Sequence, residues 1–391
     1  MVDRTLFVLA SIAVIIGILA SYSLSSYTVL FYETNQFHFF IRQLIAGILG
    51  ITLMWLISKG NPERIVQTLG FMLFFGCMFL MLIMHFLPEN LASNAGGAKR
   101  WIRFPFFSLS PVEFFKIGFV FFLAWSFSRK YDTQKNIKEE LQIFLPYGIL
   151  LLILGGLIAI LQNDLGQILL LGIIFVFMLL CAGGSFKLFF ALLLGTILSA
   201  AILILSSDHR ILRIKQWWAL AQSFILSILP ENLAQGLRID DLPEPYQIQH
   251  SLNAIQNGGF FGEGIGNGLI KLGFLSEVHT DIVLAGIAEE VGIFGIALCA
   301  ALFLVIIYRI FRIANRSETQ VGFLFCVGFG SMLGFSFLLN AYGISGLTPI
   351  KGIAVPFYSY GGSSLLANCI AIGMVLCLSK QTEEETMAKA A

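Results

Sequence analysis

Residues 276–292 read Ser-Glu-Val-His-Thr-Asp-Ile-Val-Leu-Ala-Gly-Ile-Ala-Glu-Glu-Val-Gly. A polar cluster formed by Glu277, His279, Thr280 and Asp281 leads directly into an apolar stretch that predicts a helix. That helix carries two further acids about two turns after its start. Where such a helix spans a membrane, placing charged carboxylates at the point where it enters the membrane costs free energy. Their presence therefore indicates a function that uses them.

The composition of the whole chain indicates a membrane protein. Apolar residues make up 57% of the 391 residues, and the mean hydropathy is +0.86. Charged residues make up only 12%, whereas a soluble domain averages about 25%. The net charge is +1 and no part of the sequence forms a basic domain, which argues against a nucleic-acid partner. The six cysteines lie in apolar runs without C-x-x-C spacing, so we expect neither a disulfide framework nor a zinc site.

Ten stretches are apolar enough to span a membrane, for which roughly 20 residues are needed. They lie at about 5–25, 39–58, 65–87, 111–128, 143–161, 166–184, 187–206, 282–308, 320–341 and 362–379. The first is too long for the core of a signal peptide and lacks a clear A-x-A cleavage site. We therefore predict an all-α polytopic membrane protein, with residues 1–391 forming one domain of ten transmembrane helices.

The distribution of Lys and Arg predicts the orientation, because these residues concentrate in short cytoplasmic loops. One set of loops is rich in basic residues, namely Lys59, Arg64, Arg129, Lys130, Lys135, Lys138, Lys187, Arg309, Arg312 and Arg316. The opposite loops at 26–38 and 162–165 contain none. Both termini are therefore predicted to be cytoplasmic, and the longest loop, 207–281, to be extracytoplasmic.

That long loop has a pattern of its own. Residues 211–229 mix two tryptophans and other apolar residues with basic ones, which suits a helix lying in the membrane interface. Residues 246–257 predict a short amphipathic helix ended by two glycines. The glycine-rich run 258–268 is not a dinucleotide-binding loop, because no strand precedes it and no βαβ unit surrounds it. Its glycines are expected to allow tight turns or a close approach of the backbone to a ligand.

Two outer loops depart from the charge rule. The loop at 88–110 holds Lys99, Arg100 and Arg103, and the loop at 342–361 holds Lys351. One interpretation is that these cations contact lipid headgroups or pair with local acids such as Glu89. The other is that they hold an anionic substrate at the outer leaflet, and the sequence leaves both open.

Polar residues beside these loops also have two interpretations. Residues 96–103, Gly-Gly-Ala-Lys-Arg-Trp-Ile-Arg, are followed by Glu113 and Lys116, which are three apart and can pair on one helix face. That pair either anchors its helix or lies inside a substrate cavity. Asp164, in the tight turn Gln162-Asn163-Asp164, either caps the next helix or faces outward as a functional acid.

The last loop combines a lysine with glycines and hydroxyl groups. It reads Pro-Ile-Lys-Gly at 349–352 and Pro-Phe-Tyr-Ser-Tyr-Gly-Gly-Ser-Ser at 356–364. Such a loop can offer backbone N–H groups to a phosphate or a sugar. Alternatively, it can serve only as a break in the chain before the last helix. In the opening stretch, Asp281 is expected to cap its helix or to face a cavity. Glu289 and Glu290 lie deeper and are expected to support the fold through buried hydrogen bonds.

Together these stretches resemble the SEDS family (shape, elongation, division and sporulation) of polytopic peptidoglycan polymerases. The resemblance covers nearly the whole chain. Its most specific parts are Val-His-Thr-Asp at 278–281, Ala-Glu-Glu at 288–290 and Ser-Tyr-Gly-Gly-Ser-Ser at 359–364. Pro-Ile-Lys-Gly at 349–352 is similar to the motif of the division-type members, whereas the elongation type usually lacks the lysine. Two positions depart from the family pattern, Ile282-Val283 in place of Phe-Ile and Asn163 in place of proline.

The resemblance implies a glycosyltransferase reaction. The anomeric carbon of a glycan strand on undecaprenyl pyrophosphate is attacked by the 4-hydroxyl of lipid II, which forms a β-1,4 linkage with inversion. Asp281 is implied as the essential carboxylate and would act as the base. The leaving pyrophosphate needs positive charge, which Lys99, Arg100, Lys116 or Lys351 could supply alone or together with Mg²⁺ or Mn²⁺; the sequence does not identify metal ligands. The residues expected to bind substrate are Lys99, Arg100, Glu113, Lys116, Asp164, His279, Lys351, Ser359, Gly361, Gly362 and Ser363.

The resemblance also implies partners and a location. These are a class B penicillin-binding protein, other membrane proteins of the division machinery, the bacterial inner membrane and the division septum. Three alternatives stay open, namely side-wall elongation, a lipid II flippase or transporter, and a non-enzymatic scaffold. A transporter predicts inverted repeats and broken helices, and the sequence shows no such repeat.

Overall fold

The structure is a computed structural model that describes residues 2–25, 35, 37–88, 90–95, 98–104, 107–130, 137–239, 245–275 and 278–390. Several residues discussed above therefore lie outside the described part, namely Glu89, Gly96, Gly97, Lys135, Ser276, Glu277 and most of the loop 26–38. The elements in chain order are α1 Arg4–Leu24, α2 His38–Ser58, α3 Pro62–Met84, β1 Ala92–Ala95, β2 Ala98–Arg103, β3 Ser108–Leu109, α4 Pro111–Lys130, α5 Ile137–Leu161, α6 Leu165–Cys181, α7 Phe186–Leu205, α8 Asp208–Ile228, α9 Glu231–Leu237, α10 Tyr246–Gly258, α11 Ile270–Gly273, α12 Val283–Ala314, α13 Gln320–Ile344 and α14 Gly362–Ala390.

The prediction of an all-α polytopic membrane protein is confirmed. Among the described residues, nine helices are long and apolar enough to cross a membrane. The tenth predicted span, 166–184, corresponds to the shorter apolar helix α6 of 17 residues. That length is at the lower end of the range of about 17–25 residues that a span requires.

The centre of the bundle is formed by α4, α13 and α14, whose spanning segments are mostly buried. Helix α14 packs against α2, and α13 packs against both α4 and α12. Helix α7 lies at the periphery, and its apolar side chains Phe190, Leu194 and Ile202 are exposed. In a membrane protein such a surface faces lipid tails, which are as apolar as the side chains themselves.

The loop predicted at 88–110 contains a small antiparallel sheet in the order β1-β2-β3. Ala92 pairs with Ile102, and Ile102 pairs with Leu109. Ala92 and Ile102 are buried in a small apolar cluster with Met84 at the end of α3. The sheet therefore fixes this basic segment over the end of the bundle.

Helix α12 is broken at Gly292, whereas the sequence predicted an uninterrupted span at 282–308. Gly292 has φ 70° and ψ −176°, which is not a helical conformation. The N–H groups of Ile293 and Phe294 donate to the carbonyls of Gly259 and Phe260, at 3.0 and 3.1 Å. The carbonyls of Glu289 and Glu290 accept from two N–H groups of the same segment, residues 259–264. The inserted segment thus satisfies backbone groups that the break removes from the helix.

Candidate functional site

Asp281 lies at the start of α12 and lines a small cavity. The other walls of this cavity come from α13 and from the loop 345–361, and include Asn340, Lys351 and Gly352. Gly352 has φ +64°, and a Cβ built there would lie 3.2 Å from Oδ2 of Asp281. The helix has Ile282 at its N-cap and no side-chain capping bond. Asp281 therefore faces the cavity and does not cap its own helix.

The backbone beside the carboxylate is held by Asn340 of α13. Its Nδ2 donates to the carbonyl oxygen of Asp281 at 2.6 Å and to that of Ile353 at 2.8 Å. One buried amide thereby joins the Asp281 turn to the loop 345–361. Because both bonds come from one rigid helix, the relative position of the carboxylate and the loop is set by α13.

The turn that precedes Asp281 is held by the last loop. Ser359 Oγ donates to the carbonyl of Thr280 at 2.7 Å, and the N–H of Tyr360 donates to the carbonyl of His279 at 2.8 Å. The His279 ring is buried and packs against Phe39 and Tyr360, with ring centroids 4.8 and 5.6 Å away. Ser359 and His279 thus shape the turn that presents Asp281.

Asp164 lies in a turn that packs against the same loop. Its Oδ1 accepts the N–H of Gln167 at 3.2 Å and so caps α6. A Cβ at the neighbouring Gly166 would lie 2.4 Å from the carbonyl oxygen of Lys351. The turn and the Lys351 backbone are therefore in direct contact. Burial raises the pKa of Asp164, and the nearby Arg100 guanidinium partly offsets that rise.

Asn163 explains how this turn departs from the family pattern. Its φ is +48°, a conformation that asparagine tolerates better than most residues. A proline ring holds φ at about −65°, so proline does not fit this backbone. The conformation of this turn therefore accepts asparagine at position 163 and excludes proline.

The basic and acidic residues around Asp164 form a connected polar network. Arg100 donates to the backbone carbonyls of Gln162 and Asn163, at 2.7 and 2.9 Å. Lys116 pairs with Glu113 at 2.9 Å, and Glu113 also accepts from the side chain of Gln167 at 3.1 Å. These contacts join β2, α4 and α6 beside the turn.

Lys99 is used differently from the other predicted cations. Its ammonium donates to the carbonyls of Leu87 and His85, at 2.5 and 3.2 Å. These carbonyls lie just after α3, where a positive charge compensates the helix dipole. Lys351, in contrast, lines the Asp281 cavity, and its ammonium donates no hydrogen bond to any of the described residues. Burial lowers the pKa of Lys351.

The glycines and serines of the last loop are anchored within the protein. The N–H of Gly361 donates to Oε1 of Gln43 at 3.2 Å, and Nε2 of Gln43 donates to the carbonyl of Ser359 at 3.2 Å. Ser363 Oγ accepts the N–H of Ser110 and donates to the carbonyl of Ser108. Gly362 starts α14. The loop is therefore connected to α2 on one side and to β3 on the other.

The two deeper acids of α12 lie away from this cavity, in a buried cluster. Glu289 is fully buried, and its Oε1 accepts the N–H of Ile270 at 2.7 Å. Glu290 forms an ion pair with Lys271 and accepts a hydrogen bond from Ser23 of α1. Both carboxylates are thus engaged in contacts that hold α11 and α1 against α12.

Several residues of these networks belong to none of the motifs found in the sequence, among them Gln43, Lys271 and Asn340. Two of them, Gln43 and Asn340, are polar residues within predicted spans, where polar side chains are rare, and that placement is a signal. Divalent cations are held by clustered acids, and within the described residues no group of three or more His, Cys, Asp or Glu is placed to do so. Asp164 and Glu113 instead contact amide and ammonium groups.

Comparison with known proteins gives matches along nearly the whole chain. The model of the FtsW, RodA and SpoVE family, described as "Cell cycle protein", matches residues 3–384. The "Probable peptidoglycan glycosyltransferase FtsW" of Helicobacter pylori is 54% identical, over 97% of this chain and 99% of that protein. The protein of the same name from Geobacter metallireducens is 32% identical, over 96% of this chain and 94% of its own length.

Two solved structures share the fold. One belongs to work on "polymerization and crosslinking by a peptidoglycan synthase complex", with a TM-score of 0.69, 23% identity and 98% of each chain covered. The other is the rod shape determining protein RodA of Thermus thermophilus, with a TM-score of 0.65, 22% identity and 97% of each chain covered. The resemblance seen in the sequence is thereby confirmed, and the chain belongs to the FtsW, RodA and SpoVE family, the SEDS proteins.

Proposed function

We propose that this protein is a peptidoglycan glycosyltransferase that joins lipid II disaccharides into β-1,4 glycan strands at the outer face of the inner membrane. The observation that carries the proposal is the convergence of two distant polar motifs on one cavity, with a third motif packed against the loop that lines it. The Asp281 carboxylate faces Gly352, and the adjoining Lys351 backbone packs against the Asp164 turn. Full-length identity of 54% to a relative named as such an enzyme supports the same activity.

In the proposed reaction, Asp281 accepts the proton from the 4-hydroxyl of the acceptor sugar. The hydroxyl oxygen then bonds to the anomeric carbon of the donor, on the face opposite the leaving group, so the configuration inverts. The bond from that carbon to the lipid pyrophosphate breaks, and its electron pair leaves with the phosphate oxygen. A carboxylate held by a fixed backbone suits this role, because a general base must lie within hydrogen-bond reach of the proton.

Lys351 is the cation that we assign to the leaving pyrophosphate. It lines the cavity of Asp281, whereas Lys99 donates to carbonyls at the end of α3 and Lys116 is paired with Glu113. Positive charge placed where negative charge develops lowers the barrier most when water is excluded. Arg100 and Asp164 support the walls of the site through the turn that contacts the Lys351 backbone.

The test is the polymerisation of lipid II by purified protein in detergent. We expect Asp281→Asn to leave expression and membrane insertion intact and to abolish glycan formation, because the amide cannot act as the base. Asp208→Asn is the matched control, since Asp208 is an exposed acid at the start of α8. Polymer formed by Asp281→Asn at a substantial fraction of the control rate would refute the assignment.

A lipid II flippase is the second candidate, and one observation favours it. Helix α12 is broken at Gly292, about 15 Å from its start at 1.5 Å per residue, and broken helices are typical of transporters. Here the break is filled by the backbone of segment 259–264. The same assay separates the candidates, since a flippase forms no glycan in detergent, where there is no membrane to cross.

We further propose a role in division, with both termini cytoplasmic, the segment 207–281 outside and the protein at the septum. The lysine in the motif at 349–352 and the relatives named FtsW support this role over side-wall elongation. A class B penicillin-binding protein is the proposed partner, together with other division proteins. A fluorescent fusion should concentrate at midcell, and a signal spread along the side wall would instead indicate elongation.

A further inference from the structure

A basic cleft lies at the end of the bundle opposite to the Asp281 cavity in the predicted topology. It occupies about 450 Å³, within the range of about 300–1,000 Å³ that is typical of small-molecule sites. It is formed where the start of α1 meets the end of α12. The lining residues are Val2, Asp3, Arg4, Thr5, Arg309, Arg312, Ile313 and Arg316.

The charge of this cleft is strongly unbalanced. Four arginines line it, against a single carboxylate, that of Asp3. That carboxylate is already engaged, because it accepts two bonds from Arg309 at 2.7 Å and caps α1 through the N–H of Leu6. Within the described residues, no carboxylate forms a salt bridge with Arg312 or Arg316, and both side chains are exposed. The cleft therefore presents positive charge to an anion.

The position of the cleft also restricts its ligand. Arg4 is the first residue of one candidate span, and Arg312 lies in the last turn of another. Side chains at the ends of spans lie at the level of the lipid headgroups, where long basic residues reach the phosphates. A guanidinium binds phosphate oxygens in a bidentate manner, which suits arginine better than lysine.

We infer that this cleft binds the phosphate of an anionic phospholipid headgroup, such as that of phosphatidylglycerol, in the membrane leaflet that surrounds it. A free phosphate anion offers the same chemistry but lacks acyl chains. The inference concerns lipid binding and does not depend on the proposed glycosyltransferase activity.

The test measures ligand binding to the full-length protein by native mass spectrometry. The ligands are short-chain phosphatidylglycerol, short-chain phosphatidylcholine and inorganic phosphate. The variant is Arg312→Gln with Arg316→Gln. The matched control is Arg64→Gln with Lys187→Gln, which removes the same charge from exposed residues on the same predicted side. A third pair, Arg312→Lys with Arg316→Lys, changes the same two positions but keeps their charge. It separates the effect of lost charge from that of a disturbed fold.

We expect wild-type protein to prefer phosphatidylglycerol to phosphatidylcholine. The glutamine pair should bind phosphatidylglycerol about 25-fold more weakly, since each basic residue beside the anionic headgroup contributes a factor of about five. The control pair should change binding less than about two-fold, because Arg64 and Lys187 do not line the cleft and exposed charges away from the bound headgroup are screened by salt. The lysine pair should keep the preference for phosphatidylglycerol, because lysine keeps the positive charge.

Three outcomes would overturn the inference. If the glutamine pair and the control pair weaken phosphatidylglycerol binding equally, binding depends only on the overall charge of the protein. Unchanged binding by the glutamine pair would mean that the cleft is not the site. Inorganic phosphate binding as tightly as phosphatidylglycerol would assign the cleft to a free anion, because a headgroup site gains affinity from the acyl chains.

Discussion

At the scale of single residues, the site depends on one acid, one cation and one amide. Asp281 and Lys351 line the same cavity, and Asn340 holds the backbone on both sides of it. Burial lowers the pKa of Lys351, because the charged ammonium loses solvation. The lysine therefore loses its proton at a lower pH than a solvent-exposed lysine would.

The first prediction concerns pH. If Lys351 must be protonated to stabilise the pyrophosphate, activity falls as the pH rises through its lowered pKa. Lys351→Arg should move the alkaline limb of the kcat/KM profile to higher pH, because a guanidinium stays protonated throughout that range. The measurement is the initial rate of lipid II polymerisation against pH. An alkaline limb at the same pH in both proteins would show that Lys351 is not the titrating group.

The second prediction concerns Asn340 as a positioning residue. Asn340→Leu keeps the approximate volume but removes both donated bonds, so the Asp281 turn and the loop 345–361 can separate. We expect kcat to fall on the order of 10²-fold, because misplacement of a catalytic group by about 1 Å has that effect. Ser336→Ala, one turn earlier on α13, removes only a local bond to Met332 and is the control.

The readout for Asn340 has to separate positioning from folding. The thermal stability of Asn340→Leu in detergent is measured beside its kinetics, and KM is compared with kcat. A positioning role lowers kcat in folded protein, whereas a purely structural role lowers the fraction folded and leaves the kcat of that fraction unchanged.

At the scale of elements, the break in α12 and the segment 259–264 form one unit. The segment approaches so closely that a Cβ at Gly262 would lie 2.2 Å from the carbonyl oxygen of Glu290. Gly262 also has φ +81°, a conformation that favours glycine. Gly262 therefore serves a close approach between two backbone segments, whereas the sequence predicted tight turns or a close approach of the backbone to a ligand.

The third prediction tests this close approach. Gly262→Ala and Gly266→Ala replace glycines of similar φ, +81° and +90°, so both incur a similar backbone strain. No atom lies within 4 Å of a Cβ at Gly266, whereas one at Gly262 would meet the Glu290 carbonyl. We expect Gly262→Ala to be less stable than Gly266→Ala by about 1–3 kcal/mol, the usual effect of overpacking. Equal melting temperatures in detergent would contradict this.

At the scale of the whole molecule, a buried ion pair connects parts that are far apart in the chain. Lys271 of α11 is fully buried and pairs with Glu290, and its ammonium also donates to the carbonyl of Ser23 at 3.2 Å. These contacts join α1, α11 and α12. A buried charge without its partner is strongly destabilising, so this cluster holds the long segment before α12 onto the bundle.

The fourth prediction follows from that pairing. Lys271→Met leaves Glu290 buried without its cation and should destabilise the protein by about 3–5 kcal/mol. The double variant Lys271→Met with Glu290→Gln removes both charges and should recover part of that loss. Thermal unfolding of both proteins in detergent measures the difference. A double variant no more stable than Lys271→Met would show that the unpaired charge is not the cause.

The sequence by itself determined the fold class, the spans and the polar stretches from which the site is built. These properties are local, because an apolar run of sufficient length must cross the membrane as a helix whatever its neighbours are. Its resemblance to SEDS proteins identified the family and singled out Asp281. The short strands at 92–109 were missed, since strands of four, six and two residues hold too few positions for a pattern.

Only the tertiary structure decided which polar groups meet. It brings Asp281, Lys351 and the Asp164 turn together, links Lys99 to the end of α3 and gives Glu290 the partner Lys271. It also breaks α12 at Gly292, where an inserted segment supplies the missing hydrogen bonds. Each of these contacts joins residues from different elements, and the free energy of such a contact depends on a partner that the local sequence does not contain.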